Sequence, residues 1–87
     1  MTWSLEIGRK AEKQLSKLPK TAGKRIVGYL REIANSDNPR LKGIAMTGRY
    51  AGHWRYRVGD YRVIAKIVDQ RLVILVVEIG HRREVYR

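Results

Sequence analysis

At 87 residues, with a net charge of +11, no cysteine and 44% hydrophobic residues, the chain fits one small domain spanning 1–87, with a single modest core and an anionic partner. The absence of cysteine excludes a disulfide framework and a thiol nucleophile, so stability rests on packing and a reducing cytoplasm is the expected setting. No stretch approaches the ~18 apolar residues of a membrane span, and the alternating start Met1-Thr2-Trp3-Ser4-Leu5-Glu6-Ile7 is not the continuous apolar block of a signal peptide.

Trp3, Leu5 and Ile7 alternate with polar residues, the period of a half-buried strand, and Gly8 ends it. Ala11, Leu15 and Leu18 then recur at helical spacing up to Pro19, which stops that helix. A second helix is expected from about Thr21, with Ala22, Ile26, Leu30 and Ile33 on one face, ending at Asn35-Ser36-Asp37-Asn38-Pro39. Residues 40–52 read as irregular. Beyond them lie three strands: His53 to Val58, Tyr61 to Val68 and Arg71 to Ile79, joined by tight turns at Gly59-Asp60 and Asp69-Gln70. The aliphatic run Leu72 to Val77 reads as a strand buried on both faces. The class is therefore α+β: a strand, a two-helix hairpin and a three-stranded antiparallel meander, with the helices packed on one sheet face.

A two-residue loop at Gly59-Asp60 sets Arg57 opposite Arg62. Trp54, Tyr56, Val58, Tyr61, Val63 and Ala65 then share the core face, and His53, Arg55, Arg57, Arg62 and Lys66 share the other, with no carboxylate among them. Like charges directly across a strand pair cost up to about 1 kcal/mol each. Arginines can splay into water at little cost, but this many on one small face fit a nucleic-acid backbone site. Val73, Leu75 and Val77 of the last strand are expected as an apolar floor beneath it, where charge–phosphate contacts strengthen. The chemistry of the charge agrees: residues 1–46 hold six Lys and four Arg, residues 47–87 eight Arg and one Lys. Arginine's planar fork suits bidentate phosphate contacts.

The inventory narrows the reactions open to such a site. Eight carboxylates are scattered singly and the two histidines lack paired ligand spacing, so no metal site is expected; a P-loop and a serine or cysteine hydrolase triad are also absent. Cleavage of RNA by its own 2′-hydroxyl remains. It needs a base, cations for the phosphate and an acid for the 5′-oxygen. His53, His81 and Tyr86 are the proton-transfer candidates, and Arg55, Arg57, Arg62, Arg82 and Arg83 the charge stabilisers. Tyr86 has two further readings, packing on the sheet edge or stacking on a base. A plain nucleic-acid-binding role for the same arginines stays open.

Leu41-Lys42-Gly43, His53-Trp54-Arg55-Tyr56-Arg57, Gly59-Asp60-Tyr61-Arg62-Val63-Ile64 and the final Gly80-His81-Arg82-Arg83-Glu84-Val85-Tyr86 together resemble the RelE/ParE toxin superfamily, over nearly the whole chain. Resemblance to the RelE branch implies a metal- and cofactor-independent endoribonuclease that cuts mRNA in the ribosomal A site, held inactive in a hetero-oligomer with an acidic, RelB-like antitoxin. It implies phosphate stabilisation and leaving-group protonation by Arg62 and Arg82, with Arg83 as the alternative to Arg82, and substrate stacking or orientation by Tyr86. His53 and Arg55 fall where the best-known RelE has lysines, and His53 is the chemically sensible base because imidazole titrates near neutrality. Arg57, Lys66, His81, Arg83 and Arg87 are then RNA contacts. The alternative within the superfamily is a ParE-like inhibitor of DNA gyrase without nuclease activity.

Overall fold

The first strand of the computed structural model, which describes residues 3–81, is β1 (Ser4–Ile7). Leu5 and Ile7 pack toward the core while Ser4 and Glu6 face outward, as the alternation requires. Gly8 leads into α1 (Arg9–Ser16), and Pro19 caps α2 (Lys20–Ala34). Proline ends the first helix and loses nothing at the start of the second, where its missing N–H would have had no helical partner. Ile26, Leu30, Ile33 and Ala34 of α2 are buried, a stripe at three- and four-residue spacing. None of the helices among the described residues is long and apolar enough to cross a membrane.

Residues 40–52 are more ordered than the sequence pattern indicates. They contain β2 (Ile44–Ala45) and a 3₁₀ turn at Gly48–Tyr50. Then come β3 (Trp54–Val58), β4 (Tyr61–Val68) and β5 (Val73–His81), in one sheet of order β1-β5-β4-β3-β2. The pairs are antiparallel except β1 with β5, which is parallel. The expected meander is thus extended by one strand on each side. Gly59 turns β3 into β4 with φ 59° at the first central residue only, the pattern of a type II′ hairpin.

The second turn is wider than expected. Asp69–Arg71 forms a 3₁₀ turn and Leu72 sits left-handed at φ 52°, so β5 begins at Val73 and the aliphatic run contributes one turn residue. A left-handed leucine costs about 1–3 kcal/mol. The Arg40 guanidinium holds the turn from outside, donating to both Asp69 carboxylate oxygens at 3.0 and 2.7 Å. This fork holds the Asp69 carboxyl below the usual carboxylate range.

One sheet face packs Tyr56, Val58, Val63, Ala65, Ile74, Val76 and Ile79 against Ala11, Ile26, Leu30, Ile33 and Ala34 of the helices. Tyr56 is fully buried, donates its hydroxyl to the Pro39 carbonyl, and lies under Gly43, where an added Cβ would come within 2.9 Å of the ring. Burial pushes the Tyr56 phenol up to about 12, against the opposing pull of Arg40. The raised value means the folded state keeps its proton longer than the unfolded chain. This contribution is therefore complete below pH ~10 and is lost as pH rises from ~10 through about 12. Tyr56→Phe is expected to lower stability at neutral pH by about 1 kcal/mol and to shallow the alkaline decline. Urea unfolding from pH 7 to 11 checks both; an unchanged midpoint at pH 7 would show that the Pro39 bond contributes nothing.

Candidate functional site

The β3–β4 register sets Arg57 opposite Arg62, Tyr56 opposite Val63 and Val58 opposite Tyr61. Because Tyr56 and Val63 are buried against the helices, Arg55, Arg57, Arg62 and Lys66 face the other way, around the fully buried Ile64. Paired Cβ atoms in such a ladder lie about 4.5–5.5 Å apart, so the arginines must diverge. Arg57, exposed, turns its Nε toward the Gly59 carbonyl at 3.5 Å. Arg55 and Arg62 are half-buried, an environment that the weakly hydrated guanidinium tolerates better than an ammonium.

His53 stands at the entrance to β3. Its backbone N–H donates to the Tyr50 carbonyl at 3.0 Å, and its own carbonyl accepts from the Met46 N–H at 3.0 Å. The imidazole meets the Tyr50 ring edge-on, centroids 6.2 Å apart at 85°. Its Nδ1 is buried and has no hydrogen-bond partner among the described residues. An orphaned buried polar atom costs about 1–3 kcal/mol and calls for a reason.

The expected carboxylate-free face and its apolar floor need correction. A bulge in β5 puts Ile64 opposite Glu78 and Ala65 opposite Val76, leaving Val77 as the extra residue. The strand changes phase there: Val73 and Leu75 point outward as expected, but Val77 drops out of the floor and Glu78 takes its place. Glu78 accepts from Lys10 Nζ at 2.9 Å and from the Tyr50 hydroxyl at 3.2 and 3.3 Å. Its side chain is only 14% exposed. The carboxylate raises the Lys10 ammonium above its ordinary value. Arg49 lies over the Tyr50 ring at 5.7 Å.

The same phase change separates the two histidines. Arg62 pairs with Gly80, and Tyr61 pairs with His81, so His81 is on the helix-side face, edge-on to Tyr61 at 6.0 Å and 79°. The structure thus gathers His53, Arg55, Arg57, Arg62 and Lys66 on one face and leaves His81 off it. Arg82, Arg83, Tyr86 and Arg87 lie outside the described residues. Sequence reasoning missed Tyr50, Glu78 and Lys10. The one available signal was a carboxylate at the end of an aliphatic run, and that run, lacking alternation, concealed the phase.

An α+β domain whose helices cover one sheet face, and whose opposite face carries arginines with a histidine at one end, is a small basic domain with a face suited to a polyanion. Residues 5–86 match the family model described as ParE toxin of type II toxin-antitoxin system, parDE. The chain belongs to this family, within the RelE/ParE toxin superfamily. It is 28% identical over 90 residues to Toxin RelG of Mycobacterium tuberculosis, covering 100% of this chain and 99% of that protein. Among solved structures, the archaeal RelE–RelB complex from Pyrococcus horikoshii superposes with a TM-score of 0.77 at 29% identity, covering 97% and 99% of the two chains. The toxin-antitoxin complex RelBE2 from Mycobacterium tuberculosis superposes with a TM-score of 0.86 over 97% of this chain and 95% of that one; at 21% identity it speaks to the fold. The fold is RelE-like.

Proposed function

We propose that this toxin is a ribosome-dependent endoribonuclease that cleaves mRNA in the ribosomal A site without a metal. The observation that carries the reading is the convergence of His53, whose buried Nδ1 has no hydrogen-bond partner among the described residues, and the half-buried Arg55 and Arg62 on one sheet face. His53 takes the proton from the RNA 2′-hydroxyl. The 2′-oxygen forms its bond to phosphorus, Arg55 and Arg62 neutralise the charge that grows on the phosphoryl oxygens, and the 5′-oxygen leaves. The products are a 2′,3′-cyclic phosphate and a 5′-hydroxyl. Arg82, or Arg83 in its stead, protonates the leaving oxygen, and Tyr86 stacks on or orients the nucleotide. Arg57, Lys66 and Arg87 hold the RNA backbone. His81, facing the helices, takes no part in the step. An acidic cognate antitoxin holds the basic chain inactive in a cytoplasmic hetero-oligomer; the similarity to proteins solved as RelE–RelB and RelBE2 complexes supports this.

The ribosome supplies substrate positioning that so open a face lacks. The match to the ParE family favours a second reading, inhibition of DNA gyrase. Primer extension on a translated mRNA after induction separates the two. Codon-phased cuts are expected; DNA-damage signalling without cuts would replace this proposal with the gyrase reading, and neither signal would reduce the face to binding alone.

A further inference from the structure

The segment from Gly48 to His53 is tied to the outer sheet face through Tyr50. Its 3₁₀ turn closes with Ala51 N–H donating to the Gly48 carbonyl at 3.0 Å, and His53 N–H donates back to Tyr50 at 3.0 Å. Tyr50, at the tip, reaches across to the Glu78 carboxylate, 28 residues away in sequence, and meets both oxygens within 3.3 Å. Glu78 is itself aimed outward only because Val77 bulges, and Lys10 of α1 holds it from the far side at 2.9 Å. On the near side the Tyr50 ring abuts the imidazole. His53 is therefore fixed by ring contact and by backbone, with no hydrogen bond to Nδ1 among the described residues to fix its orientation directly.

From this chain of contacts we infer that Glu78 is a positioning residue for His53, acting through Tyr50. The carboxylate locks the Tyr50 hydroxyl, the locked ring forms one wall of the imidazole's slot, and the slot sets which ring nitrogen faces the substrate. A hydrogen bond to a charged acceptor is stronger and more directional than one to a neutral group. Glu78 suits the task because it is largely shielded from water, whereas a solvated carboxylate would let the tyrosine wander. The catalytic half of this inference rests on the nuclease reading above; the geometric half does not.

The test therefore reads position and rate separately. Two-dimensional ¹H–¹⁵N NMR of the imidazoles reports tautomer and ring order of His53 in the full chain. The wild type is expected to show one dominant tautomer for His53. Tyr50→Phe, which keeps the ring, and Glu78→Ala should each mix the tautomers or broaden the signal. Glu78→Gln, which keeps an acceptor for the hydroxyl, should restore most of the order. Single-turnover cleavage on saturating programmed ribosomes should fall roughly ten- to a hundred-fold in the first two variants, the range for a slightly misplaced catalytic group, with ribosome affinity within about two-fold of wild type. Unchanged His53 signals in both Tyr50→Phe and Glu78→Ala overturn the inference, as does failure of Glu78→Gln to restore them. Signals that respond in folded variants, beside a wild type that cuts no mRNA, leave the network intact and sink the nuclease reading alone.

Discussion

His53→Ala is expected to slow cleavage of ribosome-bound mRNA by about 10²- to 10⁴-fold, the contribution of a positioned general base, while ribosome binding changes little. The reason is a division of labour across the face. On the proposed nuclease reading, docking draws on the whole +11 charge, spread over both halves of the chain, and removing a single imidazole barely alters that field. The proton of the 2′-hydroxyl has fewer places to go. Arginine cannot accept it, with a pKa above about 12, and Glu78 is already engaged by Lys10 and Tyr50. His81, the other imidazole, faces the helices. Single-turnover rates at saturating ribosomes, measured beside a binding isotherm, decide the matter. A variant that binds weakly but cuts at the wild-type rate once bound would make His53 a docking residue.

The second large effect concerns stability. Leu30→Ala should cost about 2–5 kcal/mol, the transfer term plus the cavity left behind. Leu30 is fully buried in the C-terminal half of α2, between Ile26 and Ile33 on the stripe that meets the sheet. The helix offers little slack for collapse, since both neighbours along the stripe are also buried. A domain of this size has a total stability of roughly 4–13 kcal/mol, so this one truncation removes a large share. Urea unfolding should show a lower midpoint at unchanged slope. A shift worth less than about 1 kcal/mol would mean that α2 is not packed on the sheet as described.

The parts of the architecture written in local pattern were legible in the sequence. Alternation in Trp54–Val58 and Tyr61–Val68, with Gly59 between them, is enough to set the Arg57–Arg62 register that the sheet shows. The three- and four-residue spacing of Ile26, Leu30 and Ile33 fixed the buried face of α2. What failed to show was written in distant pairing. The parallel seat of β1 on β5 joins Ser4 to Val73, and no local signal announces a partner so far along the chain. The two-residue β2 is too short to display a period. The wide turn at Asp69 depends on the guanidinium of Arg40, 29 residues upstream. The site divided along the same line. The sharing of one face by His53, Arg55, Arg57, Arg62 and Lys66 was legible because their phase is readable. Glu78 and the true side of His81 were not, because an unbroken aliphatic stretch carries no phase to read and hides a one-residue bulge within it.

That bulge amounts to a reading-frame shift at the level of side chains. Upstream of Val77 the odd-numbered residues of β5, Val73 and Leu75, face outward; downstream the even-numbered ones, Glu78 and Gly80, do. A polar substitution therefore meets different fates on the two sides: milder at the half-buried Leu75, damaging at Ile79, two residues beyond the slip, which is buried in the core. Closing the slip with Val77 kept in the ladder would restore one frame throughout, swinging Glu78 toward the helices and Ile79 into water, whereas loss of Val77 itself would remove the bulge and leave both facing as they do. The constraint falls on the slip and not on the side chain of Val77, because every residue beyond it takes its direction from it.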